Sequence, residues 1–191
     1  MRKYAIWIIL GILVIITITL YNGLVRSRES VNKAWANVEA QYQRRADLIP
    51  NLVSTVKGAA DFEKSTLEAV MEARSKATSI RIDPNSMTPE KLQEFQQAQA
   101  QVGGALSRLL AVAENYPQLK AVGNFSELQS QLEGTENRIN ESRRQYNEAA
   151  QAYNASRAQF PQVIVANLFG FNVRPYFEAD KGSEKAPSVK F

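Results

Sequence analysis

Glu133 with Glu136, and Glu68 with Glu72, set carboxylates three and four residues apart, the spacing that places two acids on one face of a helix. A di-metal centre inside a helical bundle uses acids in this way, but it pairs them with Glu-x-x-His motifs, and this chain has no histidine. The same absence removes the commonest base near neutral pH and the commonest zinc ligand. There is no cysteine either, which excludes thiolate nucleophiles, thiolate metal sites and disulfides, and leaves the redox compartment open. Gly103-Gly104 lacks the lysine and hydroxyl of a phosphate-binding loop and reads as a place where two helices approach closely. No catalytic residue, cofactor, metal or small-molecule substrate is expected, and an enzyme working through carboxylates alone is the remotest reading.

Arg44, Arg45 and Asp47 gather beside Pro50 in the run QRRADLIPNLV at 43–53. Pro50 has no N–H for the carbonyl of Ala46, so the helix is expected to kink or restart there, with Asp47 as a cap. That structural reading outweighs a functional site. Tyr42, Tyr146 and Tyr153, with Trp35, recur at helical spacing and read as core anchors whose hydroxyls reach a partner, rather than as a ligand box. The 23 basic and 19 acidic residues give a formal charge of +4, but the two signs alternate along the helices, as in Arg138, Glu141, Arg143, Arg144 and Glu148. Such alternation marks a solvated face, and with no aromatic residues interleaved in a basic stripe no nucleic-acid partner is expected.

What positions these residues begins with an anchor. No charge occurs at 4–25, and 5–20 reads AIWIILGILVIITITL. About 20 such residues at 1.5 Å each match a hydrocarbon core of roughly 30 Å. Trp7 and Tyr21 lie where amphipathic rings favour the interface, and Arg2, Lys3, Arg26 and Arg28 close the ends. No small-x-small cleavage site follows, so residues 1–25 read as an uncleaved, single-pass signal anchor rather than a removed signal peptide. The lipid bilayer is the first expected partner. A membrane, with the N-terminus inside and the rest of the chain on the extracytoplasmic side, is the expected location, although Lys and Arg are similar in number on the two flanks.

Beyond the anchor, Val31, Trp35, Val38, Tyr42, Ile49, Leu52 and Val56 recur in steps of three and four, with Arg45 filling the one gap. Gly58 ends this seam, and a second amphipathic segment spans about 62–78. Thr88 and Pro89 predict a cap and first turn for a third helix, which Tyr116-Pro117 interrupts. Asn124 with Glu127 resembles a capping box opening the longest helix, whose seam is Phe125, Leu128, Leu132, Thr135, Ile139, Ser142, Tyr146, Ala149, Tyr153, Ser156 and Phe160. The fold class is therefore all-α: a single-pass transmembrane helix followed by an elongated up-down-up-down antiparallel bundle at 26–160, an apolar C-terminal segment at 161–177 and a disordered tail at 178–191.

The chain also resembles the LemA family of bacterial membrane-anchored helical proteins. The resemblance rests on YNGLV (21–25), VNKAW (31–35), QRRADLIPNLV (43–53), ENYP (114–117), LEGTENRI (132–139), Tyr146-Asn147, Tyr153-Asn154 and FGF (169–171), in order over nearly the whole chain after the anchor. It implies a membrane-tethered all-helical bundle and no established catalytic activity.

Two geometric expectations follow. Counting down from the distal ends of the first and fourth helices pairs Ile49 with Leu132, Arg45 with Glu136, Tyr42 with Ile139 and Trp35 with Tyr146. The first helix beyond the membrane rises roughly 48 Å and the fourth descends roughly 54 Å, so Phe160 returns to the bilayer. There Leu168, Phe169, Phe171, Tyr176 and Phe177 form a candidate docking surface, against the plainer reading of a cap over the bundle's open end. Val189 and Phe191 are candidates for strand addition to a partner. The leading functional reading is a non-enzymatic envelope scaffold or adaptor that forms homo-oligomers or docks a membrane protein. A membrane-shaping or lipid-sensing protein is the alternative.

Overall fold

The computed structural model describes residues 2–58, 63–120 and 123–178. Among them are six helices and no strand: α1 (Arg2–Lys57), α2 (Lys64–Ser79), a 3-10 turn at Pro84–Ser86, α3 (Pro89–Ala113), α4 (Pro117–Lys120), α5 (Gly123–Ala158) and α6 (Gln162–Leu168). After α6 the chain runs extended through 171–178. Anchor and first bundle helix are one unbroken α1 of 56 residues, so the bundle continues the axis of the membrane span. The tail and the Val189 and Phe191 expectation lie outside the described residues, as do the side chains of Arg2 and Lys3.

One segment is long and apolar enough to cross a bilayer, and its side chains, Trp7 and the run from Ile8 to Ile16 among them, are exposed. Its two threonines return their hydroxyls to the helix: Thr17 donates to the Leu13 carbonyl at 2.8 Å and Thr19 to that of Ile15 at 2.9 Å. Neither threonine hydroxyl is left for lipid to solvate. The bundle core starts within the stretch assigned to the anchor, since Leu24 is fully buried and Leu20 and Val25 pack beside it.

α1 rises to the distal end, α2 returns, α3 rises and α5 returns. Arg108 on α3 lies 4.0 Å from Glu63 at the distal end, while Phe95 on the same helix meets Trp35 lower down, so α3 runs parallel to α1. Thr88 caps α3 by accepting from the Lys91 N–H, with Pro89 in the first turn. α5 begins at Gly123, which places Asn124 inside the first turn and not at the cap. Its buried stripe follows the heptad through Phe125, Leu132, Thr135, Ile139, Ser142 and Tyr146, then shifts from Ala149 to Ala150 and ends at Tyr153. Phe160, placed by sequence at the end of that seam, is 81% exposed. The shift to Ala150 is geometric, since 3.6 residues per turn drift against a strict seven-residue repeat, and Phe160 lies beyond the end of α5 at Ala158, outside the helix that carries the seam.

Pro50 neither stops nor restarts α1. The Ala46 carbonyl that Pro50 cannot serve accepts from Arg74 Nε of α2 at 2.7 Å, so the lost helical bond is replaced by a tertiary one. Asp47 does not cap anything there and accepts from Gln43 Nε2 at 2.7 Å.

Candidate docking surface

The α1 seam turns polar at Arg45, which is 3% exposed. Arg45 Nη1 donates to Glu136 Oε2 at 2.9 Å, and Nη2 donates to both the carbonyl and the side-chain oxygen of Gln99, at 2.9 and 2.7 Å. A buried guanidinium is costly unless its donors are used, and this one has acceptors from two further helices. Trp35 and Tyr146, the other expected pair, meet edge to face with ring centroids 5.7 Å apart. Cavities flank the polar layer. One of about 290 Å³ opens beside Glu39, Arg45, Arg74 and Arg81, and one of about 200 Å³ lies between α3 and α5. At the first, burial pushes the Glu39 carboxyl above its usual range, opposed by the Trp35 indole and by Arg81. The Trp35 Nε1–H faces that carboxylate one turn away without completing a hydrogen bond. Among the described residues no cluster of three potential metal ligands occurs.

Below this layer the extended segment 171–178 lies along α5 like a strap, and an extended backbone has no internal hydrogen bonds. α5 supplies them. Asn154 brackets Arg174, donating to its carbonyl at 2.8 Å and accepting from its N–H at 2.9 Å. Asn147 treats Phe177 the same way, at 3.0 and 2.9 Å. Beside these asparagines, Tyr153 donates to the Asn172 carbonyl at 2.9 Å and Tyr146 to that of Pro175 at 3.1 Å. Burial pushes the Tyr146 hydroxyl up to about 12, with Arg174 acting against the shift, so it stays a neutral donor in any physiological medium. Burial raises Tyr153 as well, again against Arg174. Each tyrosine thus combines a core ring with a hydroxyl partner, and its following asparagine holds the strap.

α6 ends on a turn that admits the strap. Gly170 takes a positive φ of 71°, and the Phe171 N–H reaches back to the Ala166 carbonyl at 2.9 Å, the bonding of a glycine-terminated helix. The turn divides the expected docking residues. Phe171 and Phe177 are 4% and 6% exposed and belong to the core, Phe177 stacking on Trp35 and standing edge to face on Tyr146. They are corrected from docking surface to core because every third residue of the strap, with Arg174 between them, turns inward. Leu168, Phe169 and Tyr176 remain exposed, and Phe160 and Ile164 join them. Tyr21 is the hinge of this end, its ring 5.1 Å from Phe169 and 5.4 Å from Phe171. Arg28 stacks on Phe171 at 5.3 Å and pairs with Glu29 at 3.5 Å, and Arg26, one turn above Tyr21, offers its carbonyl to Ser30.

A family model for LemA matches residues 34–191, which takes in the polar layer, the asparagine rungs and the strap. The chain belongs to the LemA family. Among its relatives, magnetosome protein MamQ 2 of Paramagnetospirillum magneticum is 28% identical over 175 residues, covering 83% of this chain and 64% of that protein. Magnetosome protein MamQ of Magnetospirillum gryphiswaldense is 26% identical over 82% of this chain and 64% of its own length. Protein LemA of Metamycoplasma hominis is 25% identical over 90% of this chain and 75% of its own. The chain thus spans less than two thirds of the length of the magnetosome proteins. None of these relatives is named for an enzymatic activity, and this LemA-family chain is a membrane-associated helical protein with an N-terminal anchor.

Sequence reasoning passed over Arg74, Gln99 and the rung role of Asn147 and Asn154. The signal for the rungs was present in the Tyr-Asn dipeptide repeated seven residues apart. Nothing local marks Arg74 or Gln99, whose partners lie 28 and 54 residues away.

Proposed function

We propose that this LemA-family protein is a non-enzymatic scaffold at the surface of the bacterial inner membrane, its bundle seated on the bilayer by α6 and its helical faces offered to neighbouring copies or membrane proteins. One observation supports it most. Phe160, Ile164 and Leu168 recur at four-residue steps and are 81%, 58% and 74% exposed, on the end of the bundle whose Phe169 touches Tyr21 at the membrane interface. An exposed apolar face normally marks an interaction surface. At this height the bilayer meets it first, and each side chain immersed contributes on the order of 1 kcal/mol or more. The bundle is placed on the extracytoplasmic side, as for an uncleaved anchor whose N-terminus stays inside. The same face supports the lipid-sensing reading, in which bilayer composition sets how deeply α6 rests.

Spin labels on Leu168→Cys and Glu148→Cys test the seat in full-length protein reconstituted into anionic vesicles. The label at 168 should be shielded from aqueous relaxants and open to dissolved oxygen, with the label at 148 showing the reverse. Equal water access at both positions removes the seat. Crosslinking in intact membranes tests the scaffold separately: a ladder or a defined partner is expected, and a strictly monomeric, partner-free protein overturns it.

A further inference from the structure

Two arginines are buried in the described chain, and only one of them meets an acid. Arg45 pairs with Glu136, whereas the guanidinium of Arg174, 5% exposed, hydrogen-bonds among the described residues to Asn32 Oδ1 alone, through Nη2 at 3.5 Å, and its buried Nε has no acceptor. Two further guanidiniums gather nearby, both against Phe171. Arg28 lies 5.3 Å over the Phe171 ring with its own buried Nε unbonded, and Arg157 donates to the Phe171 carbonyl and, at 3.1 Å, to Asn167 Oδ1. All three act on Tyr153, whose hydroxyl is raised by burial and opposed in turn by Arg174, Arg157 and Arg28. Against them stands one carboxylate in ion-pair contact among the described residues, that of Glu29, 58% exposed and 3.5 Å from Arg28 Nε. Three cations against one acid leave positive charge in excess, and a guanidinium held out of water without a counter-charge is costly.

The position of the cluster says which anion. The Phe171 ring that carries the Arg28 guanidinium also meets the ring of Tyr21 at the top of the anchor, with centroids 5.4 Å apart, so the cluster lies one ring above the level where lipid meets water. Side chains of α1 lean toward the helix N-terminus, which brings Arg28 closer to the bilayer. The exposed Phe160, Ile164 and Leu168 lie at the same end. A phospholipid presents a phosphate at this height with acyl chains beneath it. We propose that Arg28, Arg157 and Arg174 hold the phosphate of an anionic phospholipid, with its acyl chains against Phe160, Ile164 and Leu168. Arg28 and Arg157, both partly exposed, supply charge-assisted hydrogen bonds. Arg174 stands behind them and adds its charge through the poorly screened interior. A zwitterionic lipid brings its own cation beside the phosphate and offers no net counter-charge, whereas an anionic lipid does. The inference rests on the seating of α6 on the bilayer for the source of the phosphate.

The test uses the full chain in neutral detergent micelles, melted under circular dichroism at fixed ionic strength. Phosphatidylglycerol doped into the micelles should raise the midpoint by about 5 °C, and phosphatidylcholine or inorganic phosphate by less than about 1 °C. Arg174→Met and Arg157→Gln, each compared with its own lipid-free melt, should lose about half of that gain or more. Arg144→Gln, an equal loss of charge at an exposed position, should keep it. The proposal is overturned by no gain, by an equal gain from phosphatidylcholine, or by a full gain in both Arg174→Met and Arg157→Gln. Inorganic phosphate that matches the lipid would assign the cluster to a free anion, and a loss in Arg144→Gln would reduce the effect to net charge; either result overturns it too. Micelles hold no bilayer plane, so the gain can fail while a label at position 168 stays shielded in vesicles, and the shielding can fail while the gain persists. The two failures are thereby told apart.

Discussion

The two halves of the bundle on either side of Arg45 share helices and differ in substance. The distal core is aliphatic: Ile49, Leu52, Val56, Leu67, Val70, Leu106, Leu109 and Leu132 fill the space among α1, α2, α3 and α5. The membrane-proximal core is rich in rings, with Trp35, Tyr42, Phe95, Tyr146, Tyr153, Phe171 and Phe177 in one buried cluster among aliphatic residues such as Leu24, Val38 and Ile139. α2 ends at Ser79, so below it the fourth side of the bundle is closed by Ile82, Met87, α6 and the strap. Four regular helices meet closely enough for branched aliphatic side chains. An extended strap lies lower on its neighbours, leaves a wider space for rings, and needs hydrogen bonds that tyrosine and asparagine provide and leucine does not. The difference teaches that one long helix can serve two packing regimes when its seam changes residue class along its length.

The largest effect that would sharpen this contrast is the loss of Trp35. Trp35→Ala should cost about 4 kcal/mol and Leu109→Ala about 3 kcal/mol in urea unfolding, both being fully buried. The distinguishing readout is amide exchange, in which Trp35→Ala should unprotect 171–178 and Leu109→Ala should leave that segment as it was. If the two variants unprotect the strap equally, the halves are a single cooperative unit.

Next comes the strap itself. Replacing Asn147 and Asn154 together with alanine removes four hydrogen bonds to backbone and should cost about 2 to 3 kcal/mol. Exchange at residues 174 and 177 should rise with it, while the amides of α2 keep their protection. Unchanged exchange at 174 and 177 would mean that ring packing alone holds the segment.

The boundary between the halves gives a smaller effect. Glu136→Ala leaves Arg45 its two Gln99 acceptors, so a loss of about 1 to 2 kcal/mol is expected. Glu141→Ala breaks only exposed contacts, those with Arg144 and Gln145, and should leave the melt close to that of the parent. Coincident thermal melts of the two variants would deny Arg45 its role at the boundary.

The smallest effect concerns pH. Burial raises the folded pKa of Glu39 above its ordinary 4.5. A raised carboxyl favours folding below the unfolded pKa, and that contribution disappears as pH rises through the folded value. Glu39→Gln should therefore melt slightly higher than the parent at pH 7, by less than about 1 kcal/mol because the residue is partly solvated. The advantage should close as pH falls to 4.5. A gap that persists or widens in acid would remove burial as its cause.

Much of this architecture was legible because helices write themselves locally. The uncharged run at 4–25, the seam from Val31 to Val56, and the Thr88-Pro89 start each depend on neighbours within a few residues. Opposing Arg45 to Glu136 needed only helix lengths and an antiparallel return, and the two side chains stand 2.9 Å apart. The sequence by itself determined the helical class, the anchor and the α1 seam, since periodicity and length are properties of the chain, while the end of the α5 seam moved to Ala150 and Tyr153. Tertiary structure alone decided that Pro50 leaves α1 whole, because the substitute donor, Arg74, comes from α2. It also decided which aromatic residues near the C-terminus face the core. Phe169 and Phe171 are two residues apart and equally apolar, yet Gly170's positive φ and the rungs of α5 turn one outward and the other in. Hydrophobicity states that a side chain seeks cover, and only the path of the backbone states whether cover is there.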